Sequence, residues 1–170
     1  MAVKSFGGHV SRRVVNGGGF LAAAGMMAYA LYAEHALLME PCPLCVFQRM
    51  AVIGLGALFL IAAFHNPSAS GSKAYAVLIA LAAAAGAGVA GRHVWLQNLP
   101  ADKVPACGPG FDYIIDSFPL SDALKLIFTG SGECATIDWS FLGLSMPTWV
   151  LVCVVALGAV GLWNNLRTSG

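Results

Sequence analysis

Cys42 and Cys45 stand three positions apart in the run Glu40-Pro-Cys-Pro-Leu-Cys-Val-Phe-Gln-Arg49, and they are the side chains of this 170-residue sequence best able to do chemistry. Two thiols at that spacing close a short, exchangeable disulfide or hold a metal ion. A disulfide around so short a loop removes little entropy from the unfolded chain, so it is a poor staple and is better suited to exchange. Pro43 is favoured at the first position of a helix, which puts Cys42 at the cap and Cys45 in the first turn. Free backbone N–H groups and the positive end of the helix dipole then face the sulfurs and favour thiolate. Thiolate is both the attacking and the departing species in disulfide exchange. Arg49 follows Cys45 by four residues, on the same helix face. A cation there stabilises a Cys45 thiolate and also negative charge developing on the oxygen of a reduced quinone. Gln48 adds a hydrogen-bond donor for the same acceptor; a lipid headgroup would engage it equally well.

The elements that must position these groups are membrane helices. The chain is 58% hydrophobic and 10% charged, against about 25% charged in an average soluble domain. Its net charge of +1 offers no basic surplus for nucleic acid, and no glycine-rich phosphate loop is present. Four apolar stretches, at residues 14–33, 44–64, 74–94 and 147–163, each approach the ~20 residues needed to cross a bilayer. Backbone groups in lipid must be satisfied within the segment, so the expected fold is an all-α, four-helix transmembrane bundle forming one integral membrane domain over residues 1–170. Lys4, Arg12, Arg13, Lys73 and Arg167 lie on one side of these spans, and all eight acids lie in or beside the other two links. The Lys/Arg bias places both termini in the cytoplasm and the first and third links outside, which in a bacterium is the periplasm. A cleaved signal peptide is the competing reading of the first stretch, but that stretch exceeds the usual apolar length of one.

Five cysteines are present: Cys42, Cys45, Cys107, Cys134 and Cys153. Two fall in each outward link and Cys153 falls within the fourth span. Four cysteines in an oxidising compartment read as two disulfides, with three possible pairings. The short spacing favours Cys42–Cys45, which leaves Cys107–Cys134. Cys153 reads as a small packed hydrophobe. No metal site is expected, because the second pair lacks close spacing and His9, His35, His65 and His93 do not cluster beside the cysteines in sequence. Between the outer cysteines, residues 121–128 carry capping-type residues followed by apolar ones. They predict a short amphipathic helix lying on the membrane surface or packed on the bundle. Gly108, Gly110, Gly130 and Gly132 suggest a mobile loop.

The Pro-Cys-Pro-Leu-Cys-x-x-Gln-Arg run ending at Arg49, four spans and a second outward loop with two cysteines resemble the DsbB family. His93-Val-Trp-Leu-Gln97, Gly132-Glu-Cys134 and Trp139-Ser-Phe-Leu-Gly-Leu-Ser-Met-Pro147 extend the likeness over most of the chain. The resemblance implies a bacterial inner-membrane oxidoreductase that reoxidises the periplasmic thiol oxidase DsbA at the expense of membrane quinone, ubiquinone or menaquinone. It implies that reduced DsbA attacks the Cys107–Cys134 disulfide at Cys107. Cys134 then exchanges with Cys42, and Cys45 is freed as a thiolate that donates electrons to quinone. Arg49 and His93 are implied to lie at the quinone. Two other readings use the same residues: a quinone-linked oxidoreductase of the vitamin K epoxide reductase type, or a non-catalytic membrane protein held by two disulfides.

Overall fold

A computed structural model describes residues 11–106, 108 and 111–167. Cys107 and Gly110, with the amino-terminal Lys4 and His9, lie outside the described residues. Among the described residues four helices are long and apolar enough to cross a membrane: α1 (Arg12–His35), α2 (Pro43–His65), α3 (Ala69–Gln97) and, after the long link, α7 (Met146–Leu166). Ser11 caps α1, its Oγ accepting from the Val14 N–H at 3.3 Å. Cys42 caps α2 in an extended conformation and Pro43 opens the helix, since the missing proline N–H is one a helix start leaves unsatisfied in any case. Asn66 ends α2 in the left-handed region, with Pro67 just beyond.

α3 is longer than its apolar stretch. At 1.5 Å per residue its 29 residues run about 43 Å, beyond the ~30 Å hydrocarbon core. The apolar run predicts a span of 74–94, but the helix starts at Ala69 because Ser72 is buried and donates to the Asn165 carbonyl of α7. At its other end His93, inside that span, and Gln97, three residues beyond it, lie at the level of the cysteines.

α3 packs most extensively on α7, α1 on α2 and α2 on α3, while α1 meets α7 over a shorter stretch. Phe59 is the centre of the bundle, fully buried with Leu55, Ile79 and Val154. Lipid tails are as apolar as leucine, so association rests on close packing. The approach is tight enough that a Cβ on Gly19 would come within 2.6 Å of the Phe59 ring, and one on Gly161 within 2.8 Å. Leu21, Ile53, Leu81 and Val155 face outward, as acyl chains require.

The link between α3 and α7 carries more structure than the single helix its sequence predicts. A 3₁₀ turn (Ala101–Lys103) precedes α4 (Phe111–Ser117), α5 (Leu120–Thr129), the one-turn α6 (Gly132–Ala135), and a two-residue-per-strand hairpin, β1 (Ser140–Phe141) with β2 (Leu144–Ser145), registered Ser140 to Ser145 and Phe141 to Leu144. α5 is the expected amphipathic helix. Ala123 and Ile127 are buried in a second apolar cluster with Leu44, Leu96 and Ile114, so α5 packs on the end of the bundle, while Leu120 stays exposed. Gly130 supplies a turn rather than slack. Its φ is +87° and a Cβ there would run into Leu96.

Candidate functional site

α2 begins at the cysteine end of the bundle, and its cap brings three sulfurs together. Cys42 Sγ lies 3.3 Å from Cys45 Sγ, close enough that little movement would close the disulfide that the spacing favours. On its other side Cys42 meets the thiol of Cys134. Cys134 is 1% exposed and is held by its own short helix, its N–H donating to the Ser131 carbonyl at 2.9 Å. Its sulfur also receives the backbone N–H of Leu44, in the first turn of α2. The helix start that the sequence assigns to the inner pair therefore serves Cys134 as well.

The electrostatics of this triplet are asymmetric. Hydrogen bonding from Cys42, working against burial and aided by backbone groups of Ser131 and Leu44, lowers Cys134 to about 5. Cys42 is pushed far up, first by Cys134, then by Cys45, with burial adding to both. One proton stays on the central sulfur and negative charge is favoured on its neighbour.

The Gly132 N–H donates to the Ala106 carbonyl at 3.2 Å, and a Cβ on Gly108 would touch Ser131 at 3.4 Å. The residues on either side of position 107 are thus tied to the turn that carries Cys134. The expected Cys107–Cys134 disulfide itself involves a residue outside the described set.

His93 comes from α3 and is 2% exposed. Its Nε2 lies 3.8 Å from Cys42 Sγ, it also hydrogen-bonds Cys45, and its Nδ1 is 2.9 Å from the Gln48 amide nitrogen. Gln48 is therefore a buried partner of His93, turned into the bundle rather than toward headgroups. Arg49 pairs with Glu34 of α1 and donates to the Ala30 carbonyl at 3.2 Å. The pair is partly shielded, with side-chain exposures of 20% and 31%.

Cys45, Gln48, Arg49 and His93 line one end of a cleft whose walls are apolar, including Met26, Ala30 and Val150. The cleft continues between α1 and α7 into an aromatic recess formed by Tyr29, Trp139, Phe141 and Trp149, where Cys153 also lies. Trp139 joins the two regions, stacked on Phe141 at 6.2 Å and edge-on to Tyr29 at 5.8 Å. The hairpin holds this arrangement through Trp149 Nε1, which donates to the Phe141 carbonyl at 3.1 Å. A flat apolar ring with carbonyl oxygens fits such a space: apolar walls along its length, and Arg49, Gln48 and His93 at the end beside a sulfur.

Of the residues the sequence points to, the structure brings Cys42, Cys45, Cys134, Gln48, Arg49 and His93 together, and Cys107 lies outside the described residues. Sequence reasoning misses Glu34, Ser131 and Trp139 as site residues. Glu34 had a signal, an acid at the very end of an apolar stretch. Ser131 had none, because only the fold shows which backbone groups turn toward a sulfur.

Comparison with known proteins covers most of the chain. The pattern of the family described as Disulfide bond formation protein DsbB matches residues 12–164. A disulfide bond formation protein B of Nitrosococcus oceani is 52% identical over 152 residues, 89% of this chain and 90% of its own. One of Saccharophagus degradans is 53% identical, covering 88% of this chain and 90% of its own, and one of Acinetobacter baumannii is 49% identical, covering 93% of each.

Proposed function

The chain belongs to the DsbB family of disulfide bond formation proteins, and we propose that it is a multi-pass oxidoreductase of the bacterial inner membrane that reoxidises a periplasmic DsbA-type dithiol and passes the electrons to membrane quinone. The observation that carries this reading is the row of sulfurs Cys134, Cys42 and Cys45, which leads from the loop side to the cleft beside Arg49. Thiol–disulfide exchange needs an attacking sulfur, a central one and a departing one, and Cys42 lies between the other two.

The steps balance as follows. A thiolate of the partner attacks Cys107; the Cys107–Cys134 bond breaks and Cys134 leaves as thiolate, the form its surroundings favour. Cys134 attacks Cys42; a Cys134–Cys42 bond forms, the Cys42–Cys45 bond breaks, and Cys45 departs toward the cleft. The partner's second thiol attacks its own sulfur bound to Cys107, completing its disulfide and releasing Cys107. Cys107 in turn attacks Cys134 and frees Cys42, which leaves the outer pair oxidised and the inner pair carrying two electrons. Quinone supplies the final acceptor for those two electrons and two protons. Arg49 offers donors at the cleft end, with Glu34 and the Ala30 carbonyl fixing its direction. His93 holds hydrogen bonds to the sulfurs and is itself oriented by Gln48.

Facing of the cysteine end to the periplasm rests on the Lys/Arg bias. It is supported by the shared position of Arg12 and Arg167, which hydrogen-bond at the opposite end of the bundle. The test is an anaerobic assay of the purified chain with a reduced DsbA-type protein and a short-chain quinone. One partner dithiol (two thiols) is expected to be oxidised for each quinone reduced, and Cys45→Ala is expected to abolish both with the folded bundle retained. Thiol oxidation without quinone reduction, or an unaffected Cys45→Ala protein, would overturn the reading.

A further inference from the structure

The sequence separates His93 from the cysteines by about fifty positions, and the fold removes that separation. Cys42 Sγ, Cys45 Sγ and a ring nitrogen of His93 all lie within 4.8 Å of one another. We propose that the reduced Cys42–Cys45 pair, with His93 Nε2, binds one thiophilic divalent cation of the zinc class, and that this site exists only while the pair is reduced.

The geometry requires little movement. A tetrahedral zinc ion with Zn–S near 2.3 Å and Zn–N near 2.0–2.1 Å separates its donors by roughly 3.4–3.8 Å. The two sulfurs are 3.3 Å apart, and Cys42 Sγ is 3.8 Å from Nε2. Two sulfurs and an imidazole form a soft donor set, suited to a d¹⁰ ion over magnesium or calcium. The ring is already oriented by an outer partner, the Gln48 amide, whose nitrogen lies 2.9 Å from Nδ1; on metal binding that amide turns over, its oxygen accepts from a protonated Nδ1, and Nε2 is left as the ligating nitrogen. Arg49, the cation lining the same cleft, is neutralised by Glu34, so it does not repel an incoming ion. The cleft gives access from one side and room for an exogenous fourth ligand.

Binding exchanges two thiol protons for the metal ion, M²⁺ + 2 Cys–SH giving the dithiolate complex and 2 H⁺, with no change in oxidation state. Closing the Cys42–Cys45 disulfide abolishes both sulfur ligands. A metal-loaded pair has no free thiolate at Cys45 and no free sulfur at Cys42, so loading arrests exchange until a chelator removes the ion.

The experiment uses the full chain in detergent and requires neither quinone nor partner, so it stands whether or not the proposed electron path is correct. Protein reduced with a phosphine, and protein left oxidised, are each incubated anaerobically with ZnCl₂, desalted and assayed for metal by mass spectrometry; CdCl₂ gives a parallel sulfur-to-metal absorbance. The expected result is about one ion per reduced chain and none above background on the oxidised chain. Cys45→Ser and His93→Gln are each expected to weaken binding at least tenfold, on the order of a lost ligand or supporting contact. A Cys107→Ala, Cys134→Ala background, in which the outer pair cannot contribute, is expected to keep the ion. Equal metal on reduced and oxidised chains, full affinity in His93→Gln, or loss of the ion in the Cys107→Ala, Cys134→Ala background would overturn the proposal.

Discussion

The bundle has a buried polar cluster at each end, and the two are built on opposite principles. At the end shared by the first and last helices, Asn16 donates to Asn165 at 3.2 Å, and Asn164 and Asn165 donate back to Asn16 at 3.1 and 3.0 Å. All three are at most 2% exposed. Amides have fixed donors and acceptors, so this cluster has one arrangement and locks α1 to α7, with Ser72 binding α3 to the same turn. At the other end the polar atoms are sulfur and imidazole. They share protons rather than fix them, and each sulfur can form a covalent bond to its neighbour. The first cluster holds a bundle together; the second is held by it. The contrast shows how a membrane protein can house mobile bonds in a fixed frame: His93 stands on α3, whose far end is clamped through Ser72, and Cys42 and Cys45 open α2, which packs against both α1 and α3.

Substitutions should separate the two ends. The largest effect is expected at Arg49. Arg49→Gln should raise the apparent quinone KM by about tenfold or more, on the order of a lost charge-stabilising donor, with an unchanged melting temperature. An unaltered KM and rate would make Arg49 a side chain that merely reaches for the interface, and the cysteine end would lose its functional cation. Asn165→Leu should act in the opposite way. It should cost about 0.6–2 kcal/mol of bundle stability, the range for hydrogen bonds between membrane helices, measured by thermal or denaturant unfolding in detergent, while KM stays put. A KM change of the Arg49 size would show the two ends to be coupled. The smallest effect concerns pH. Because Cys134 is lowered to about 5 from an ordinary thiol value near ~8.5, its thiolate stabilises the reduced fold. That contribution is complete above the ordinary value and fades as pH falls through about 5. The difference in melting temperature between the reduced chain and Cys134→Ala should therefore shrink steadily from pH 9 to pH 5; a constant difference would mean that Cys134 is an ordinary buried thiol.

Much of the frame was legible because apolar length is a strong signal in a chain with so few charges. The helix start at Pro43 was equally clear, since proline and a short cysteine spacing both point to it. What lay beyond reading was contact between distant segments. Gln48 looks like a surface donor until α3 is seen to bring His93 against it. Gly130 looks like a hinge until Leu96 fills the space beside it. The long link read as one helix in a loop because α4, the turn of α6 and the hairpin are too short to show a period. The site inherits the same limit: its residue types were visible, while Glu34, Ser131 and Trp139 act through neighbours that only folding supplies.

The middle position of Cys42 has a consequence for traffic. A sulfur takes part in one disulfide at a time, so Cys42 works like the moving arm of a changeover switch, with Cys134 and Cys45 as its two contacts. Touching one contact means leaving the other. On the proposed electron path, oxidising power arriving from the lipid side and reducing equivalents arriving from the water side are then never joined through a continuous path, and each must wait for the arm to swing.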